Sequence, residues 1–365
     1  MKGKIVIRRS SRVVAAMGGR IVAGVLVLVL ASTMTPAAAR AGDGSLDLAY
    51  HNVGVSFGNS KVFTGLRFNL TDRRVERIKG LNVTLWRPGR SPAGSISGVS
   101  LGLIGQDADA LNGITIGLVG LAANRLKGVS LALVGFSVDK ELDGIAVAGI
   151  GAAGGDIKGI ALGGIGIGAD DVDGAVVGLV GVGGKNINGI ALGGIGVGAD
   201  AVHGVGIGGI GLGAREELVG VFVGGIGVGA DAIHGVGIGG LGVGGEELKG
   251  LFIGGLGAGG DELTGVGIGG LGVGARTMKG VGIGGLGVGA DDFQGVALGA
   301  VVTKFENARW VAAAAVNRVD YRMVGLQLGV FNTAGSLHGV QIGVLNYVHD
   351  NPKWARILPI INLRL

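Results

Sequence analysis

The chain has 365 residues, of which 83 are glycine and none is cysteine. Glycine far above the usual ~7% without a Gly-X-Y period excludes collagen, a 48% hydrophobic content excludes a disordered tail, and the lack of thiols excludes disulfides and thiolate metal sites. The formal charge of +5 does not mark a nucleic-acid binder, because residues 1–41 carry seven basic groups and no acidic one, whereas residues 98–299 carry nineteen acidic and nine basic groups.

Residues 1–41 have the order of an export signal. Lys2, Lys4, Arg8, Arg9, Arg12 and Arg20 precede the apolar run IVAGVLVLVL, and TPAAARA supplies an A-x-A site at Ala39–Ala41. The expected cut follows Ala41 or falls two residues earlier. The apolar core is short for a membrane span. Arg8 and Arg9 form a twin arginine, which leaves the general and the twin-arginine export routes both open. Residues 42–97 follow as a first group of strand-like segments with Trp86, ending in a Pro/Gly/Ser link at 87–97 and read as an N-terminal cap.

Residues 98–299 form a repeat. A glycine recurs at 98, 113, 128, 144, 159, 174, 189, 204, 220, 235, 250, 265, 280 and 295, a spacing of 15 with 16 after Gly128 and after Gly204. With that glycine as position 1, apolar residues sit at positions 2, 4, 7, 9 and 14, as Val281, Ile283, Leu286, Val288 and Phe293 do in one unit. Positions 2 and 4 alternate as in a strand, and 7 and 9 alternate with the opposite parity. A corner at Gly284–Gly285 turns both pairs to one inside. The expected fold is all-β: a β-solenoid of about 14–16 short three-sided coils, capped at both ends, with positions 2, 4, 7, 9 and 14 in the core. On this reading the outward positions 3, 6 and 8, mostly Gly or Ala, make flat glycine-rich faces. The alternative is an antiparallel transmembrane β-barrel with one strand per unit, which fits in length but lacks aromatic girdles.

Residues 300–365 break the glycine pattern with FENARWVAAAAVNRVDYRMV, then resume it at Gly325 and Gly339, and are read as irregular coils and a C-terminal cap. GLQLGVFNTAGSLHGVQIGVLNY, followed by LPIINLRL, resembles a bacterial exported surface-repeat family whose units read G-h-Q-h-G-h-h-N. Gln327, Gln341, Asn332 and Asn346 match its polar positions. The resemblance implies an exported protein at the bacterial envelope or surface and supplies no reaction and no catalytic residue. The units from Gly98 to Gly295 keep the spacing but lack the Gln and Asn.

Chemistry-bearing residues give no site. Position 12 forms a column, Asp170, Lys185, Asp200, Asp231, Glu246, Asp261, Arg276 and Asp291, which reads as a solvated corner of paired charges rather than a cation ladder, although Asp231, Glu246 and Asp261 are consecutive carboxylates. His203 and His234 share a position that elsewhere holds Asp173, Asn188, Lys249, Thr264 and Gln294, as an exposed turn does. The many G-x-G-x-x-G strings lack the helix a phosphate cradle requires. The expectation is therefore no enzyme, with no catalytic, cofactor or metal residues and no cofactor. The expected role is an exported structural or interaction protein of the periplasm, outer membrane or cell surface. It would bind an envelope component, or itself, through glycine-rich faces, with peripheral or outer-membrane association open and no nucleic acid. An outer-membrane pore and a cation-binding solenoid are the other two classes.

Overall fold

The computed structural model describes residues 38–42, 44–86 and 93–364. The expected leader lies outside these residues up to residue 37, and so does the link from 87 to 92. Strand β1 (Ala38–Gly42) pairs antiparallel with β2 (Ser45–Tyr50), and β2 pairs antiparallel with β3 (Val53–Gly58). β1 contains the expected cut after Ala41, so removal of the leader leaves β2 as the first complete strand.

From β3 onward the chain winds as a parallel β-solenoid. The position-1 column runs from Gly54 through Gly65, Gly80, the glycines of the repeat, Trp310 and Gly325 to Gly339, twenty rungs in all, each in register with the next. At ~4.8 Å per rung the rod is roughly 90 Å long. Parallel neighbours from rung to rung rule out the alternative barrel, whose strands would alternate in direction. The two coils of 16 residues put the extra residue at the charged corner: the ladder skips there opposite Asp139–Lys140 and opposite Arg215–Glu216. At the far end the strand Ile357–Arg364 turns back through a 3-10 turn at Lys353–Ala355 and pairs antiparallel with residues 339–347.

Each coil is a triangle with sides at positions 1–5, 8–10 and 13–15. The corner falls at positions 6–7, one residue after the expected Gly-Gly at 5–6, and the hydrogen-bond ladder continues around it, as in Ile210 N–H to Ile195 O at 2.6 Å and Leu241 N–H to Ile226 O at 2.6 Å. The short sides leave room for about one inward side chain each, and these are positions 3, 9 and 14. Position 14 is buried throughout, as expected: Ile187, Leu218, Ile233 and Leu248 are all fully covered. Position 9 is buried as well, at Val197, Val228 and Val288.

The first side overturns the expected core. Positions 2 and 4 point outward, position 3 points inward, and position 7 stands on the corner in water: Leu286 is 54% exposed and Ile283 37%, whereas Gly282 between the two sides' side chains is buried. The cause is steric. Positions 3 and 5 face inward on the five-residue side, and position 1 begins it. Positions 1 and 5 sit at its ends, where a Cβ on Gly280 would lie 2.0 Å from the Gly265 carbonyl oxygen and one on Gly284 would lie 1.9 Å from that of Gly287. Glycine is what lets these ends close. The φ of Gly280 is +130°, a region that side chains avoid.

Position 3 fills the centre, and from Gly206 to Phe252 its size alternates between rungs. Gly206, Phe222, Gly237 and Phe252 succeed one another, and a Cβ on Gly237 would already lie 3.1 Å from the ring of Phe252 and 3.1 Å from Val243. A large residue on one rung thus occupies the space that its glycine neighbours leave, as close packing requires.

Residues 300–324 continue the solenoid, with register shifts between Phe305 and Asn307 and between Val319 and Arg322. Trp310 stands in the glycine column with φ +93° and is 60% exposed. The strain predicts that Trp310→Gly is more stable than Trp310→Ala by about 1 kcal/mol, since both remove the indole but only glycine is at ease at that φ. Chemical denaturation of the two variants checks this, and an alanine variant at least as stable would refute it.

Candidate interaction faces

The three sides present three different surfaces. The first side is aliphatic. In all twenty rungs every residue at positions 2 and 4 is apolar, forty side chains, and none of them is buried. Ile145 and Ile190 are each 43% exposed. The corner column at position 7 borders this face with Ile150, Ile195, Ile226, Leu256 and Leu286. Both caps continue it: Leu46 and Leu48 lie opposite Phe57 and Val55, and Ile361 and Leu363 lie opposite Ile342 and Val340.

The second side is nearly bare. Positions 8 and 10 point outward there and are glycine along most of the rod, as at Gly196, Gly198, Gly242 and Gly244. This is the one glycine-rich face. Gly237, Gly267 and Gly282, at position 3, belong to the core instead, so bulky charges placed on them would disrupt packing rather than probe a surface. Towards the first coils the bare side forms a shallow trough of about 1210 Å³ beneath Ile104, Val119, Val134 and Ile150.

The third side and its corner carry the charge. Columns 13 and 15 project outward, and neighbouring rungs pair: Lys158 with Glu141 at 3.1 Å, His203 with Glu217 at 2.9 Å, His234 with Glu247 at 3.5 Å. At position 12, Lys185 meets Asp170 at 2.8 Å, Arg215 meets Asp200 at 3.1 Å and Arg276 meets Asp261 at 3.0 Å. Where the sign alternates, at Asp170, Asp200 and Asp261, the corner is thus an exposed ladder of paired charges, whereas Asp231 and Glu246 are adjacent carboxylates.

The protonation shifts follow from these pairs. The hydrogen bond to Glu141 raises the Lys158 pKa, that to Asp170 raises Lys185, and Lys249 with His234 lowers Glu247. Asn124 and then Arg125 lower Asp109 by hydrogen bonding. Among the described residues no three His, Asp or Glu side chains converge as a metal site would need. A hollow of about 370 Å³ on this side is lined by Asp156, Lys158, Asp171, Asp173 and Asn186 with His203.

The polar residues that carried the family resemblance lie inside. Gln327, Gln341, Asn332 and Asn346 are all fully buried. They form two internal ladders along the last coils. Thr303 Oγ1 donates to Asn317 Oδ1 at 2.6 Å, Asn317 Nδ2 to Asn332 Oδ1 at 2.8 Å, Asn332 Nδ2 to Asn346 Oδ1 at 2.7 Å, and Gln341 Nε2 to Gln327 Oε1 at 2.6 Å. Their second amide hydrogens satisfy corner carbonyls, as Asn317 does for Leu328 O at 2.7 Å and Asn332 for Ile342 O at 2.9 Å. These side chains hold the last coils together and are closed off from the surface.

The opposite end has its own buried polar core. Arg67 and Asp72 are ion-paired with no exposure of either side chain. Arg67 also donates to Asn82 Oδ1 at 2.7 Å, and Asp72 accepts from Asn69 at 2.5 Å and Thr84 at 2.6 Å.

The sequence reading missed the aliphatic face because it placed every apolar position inside. The signal was present at position 3, where residues from Gly to Phe alternate between apolar neighbours, as an inward column of a narrow coil must when rungs share one space. No protein-family model, curated protein or solved structure matches this chain.

Proposed function

We propose that the protein is an exported, non-catalytic rod of the bacterial envelope or cell surface that acts through its long faces. The observation that carries this is the unbroken aliphatic side. Exposed apolar patches on soluble monomers usually reach only ~300–600 Å². A face five residues wide and over twenty strands long amounts to roughly 1,600 Å². A surface of that size is built for contact.

Two further features support the reading. Several charged side chains are engaged with their ladder neighbours, as Lys185 is with Asp170 and Arg276 with Asp261, in the manner of a solubilising edge. Export rests on the basic–apolar–A-x-A order of residues 1–41 and on the resemblance of the last two glycine units to the exported surface-repeat family.

The test is fractionation of cells making the chain from its own bacterium, followed by intact-mass measurement. The expected product sits in the envelope or extracellular fraction and begins near Gly42. A cytoplasmic protein that retains Met1 or Lys2 would overturn the reading.

A further inference from the structure

We propose that the aliphatic side is a homodimer interface, on which a second copy of this chain packs face to face. The inference rests on the reading of the rod as a contact surface and names its partner. It specifies the aliphatic side, not the bare glycine side, as the surface that self-associates.

The first argument is continuity. The forty residues at positions 2 and 4 are apolar in every rung, whereas the inward column at position 3 changes from Ser100 and Thr115 to Val176, Phe222 and Gln341. The core tolerates variety and the outer face does not. The two caps reverse chain direction and abandon the repeat, yet they still place Leu46, Leu48, Ile361 and Leu363 on this face, with exposures between 43% and 54%. A cap that only had to close the end of a solenoid would bear polar residues there.

The second argument is area. Two such faces together bury roughly 3,200 Å² by the same strand spacing, inside the ~2,000–5,000 Å² range of obligate homodimers. The third is fit. A ladder that is Val, Ile or Leu at all but four of its forty positions, with one rung every ~4.8 Å, is matched along its length only by a ladder of the same spacing. A second copy supplies it, and two sheets then pack at ~10 Å with interdigitated side chains.

Charge decides against a lipid surface as the occupant. Membrane-surface elements flank their apolar face with Lys and Arg and anchor with Trp or Tyr. Here residues 98–299 hold nineteen acidic against nine basic groups, and no Trp or Tyr occupies positions 2 or 4. An anionic bilayer would repel this central stretch of the rod.

The test uses the purified protein in detergent-free buffer, with sedimentation velocity as the readout. A face variant carries Ile145→Lys, Ile190→Lys and Ile238→Lys. A corner variant carries Asp170→Lys, Asp231→Lys and Asp291→Lys. The wild type and the corner variant are expected at twice the single-chain mass at micromolar concentration. The face variant is expected as a monomer with unchanged β-type circular dichroism, its dimer weakened at least about a hundredfold by three buried, unpaired charges.

A monomeric wild type overturns the proposal, as does a face variant that remains a dimer. Flotation of wild-type monomer with phosphatidylglycerol–phosphatidylethanolamine vesicles would assign the face to lipid instead and also overturn it. None of these results bears on the location of the protein, which fractionation reads separately.

Discussion

Leu248→Asp is expected to destabilise the rod by about 4 kcal/mol, the cost of an unpaired carboxylate at a fully buried site. Leu248 lies at position 14 between Ile233 and Leu263 on the adjoining rungs. No inward group in those rungs is polar enough to pair with it. Because each coil touches only its neighbours, the damage spreads to both adjoining interfaces. Asp261→Asn is the control. Asp261 sits on the same stretch of rod, but it is exposed and paired with an exposed Arg276, so its loss should cost under ~1 kcal/mol. Thermal melts followed by circular dichroism compare the two, and equal shifts would mean that position 14 does not face inward.

The second large effect belongs to the N-terminal end. Arg67→Met should cost about 3–5 kcal/mol, because it leaves the buried Asp72 carboxylate without its countercharge. Asn69, Asn82 and Thr84 still donate to that carboxylate but cannot neutralise it. The double variant Arg67→Met with Asp72→Leu removes both charges and should recover most of the loss. Amide hydrogen exchange localises the effect: protection should fall in residues 62–84 and persist around residues 250–290. A single variant as stable as the wild type would show that the pair is not sealed from water.

Why both ends are polar inside and the middle is not follows from the packing of one column. In the central coils position 3 is Gly, Ala, Val or Phe, and each rung is covered by a like rung above and below. Near the ends the same column becomes Arg67 and Asn82 on one side and Gln327 and Gln341 on the other, each bonded between rungs. Directional bonds fix the register of the coils next to the caps, where the repeat ends and apolar contact alone would permit slippage.

The legible part of the fold was its period. Fifteen-residue spacing, the Gly-Gly corner, the buried column at Leu248 and its equivalents, and the paired charges at Asp170 and Lys185 all depend on residues close in sequence or one repeat apart. Such relations survive in a linear pattern. The inward or outward sense of positions 2 and 4 does not. Alternation states that 2 and 4 share a face opposite to 3, but it is silent on which face is the inside. Hydrophobicity usually breaks that tie, and here it pointed the wrong way.

The sequence by itself therefore determined a β-rich stack of glycine-cornered coils, its rung length and its charged edge, because those follow from local sterics and repetition. Only the tertiary structure decided what fills the centre. A triangle with sides this short has no volume for two inward side chains on its longest side, so the single residue at position 3, whether glycine or Phe222, turns in and Val281 and Ile283 turn out. The same constraint that demands glycine at Gly280 and Gly284 thus leaves the apolar residues beside them on the surface.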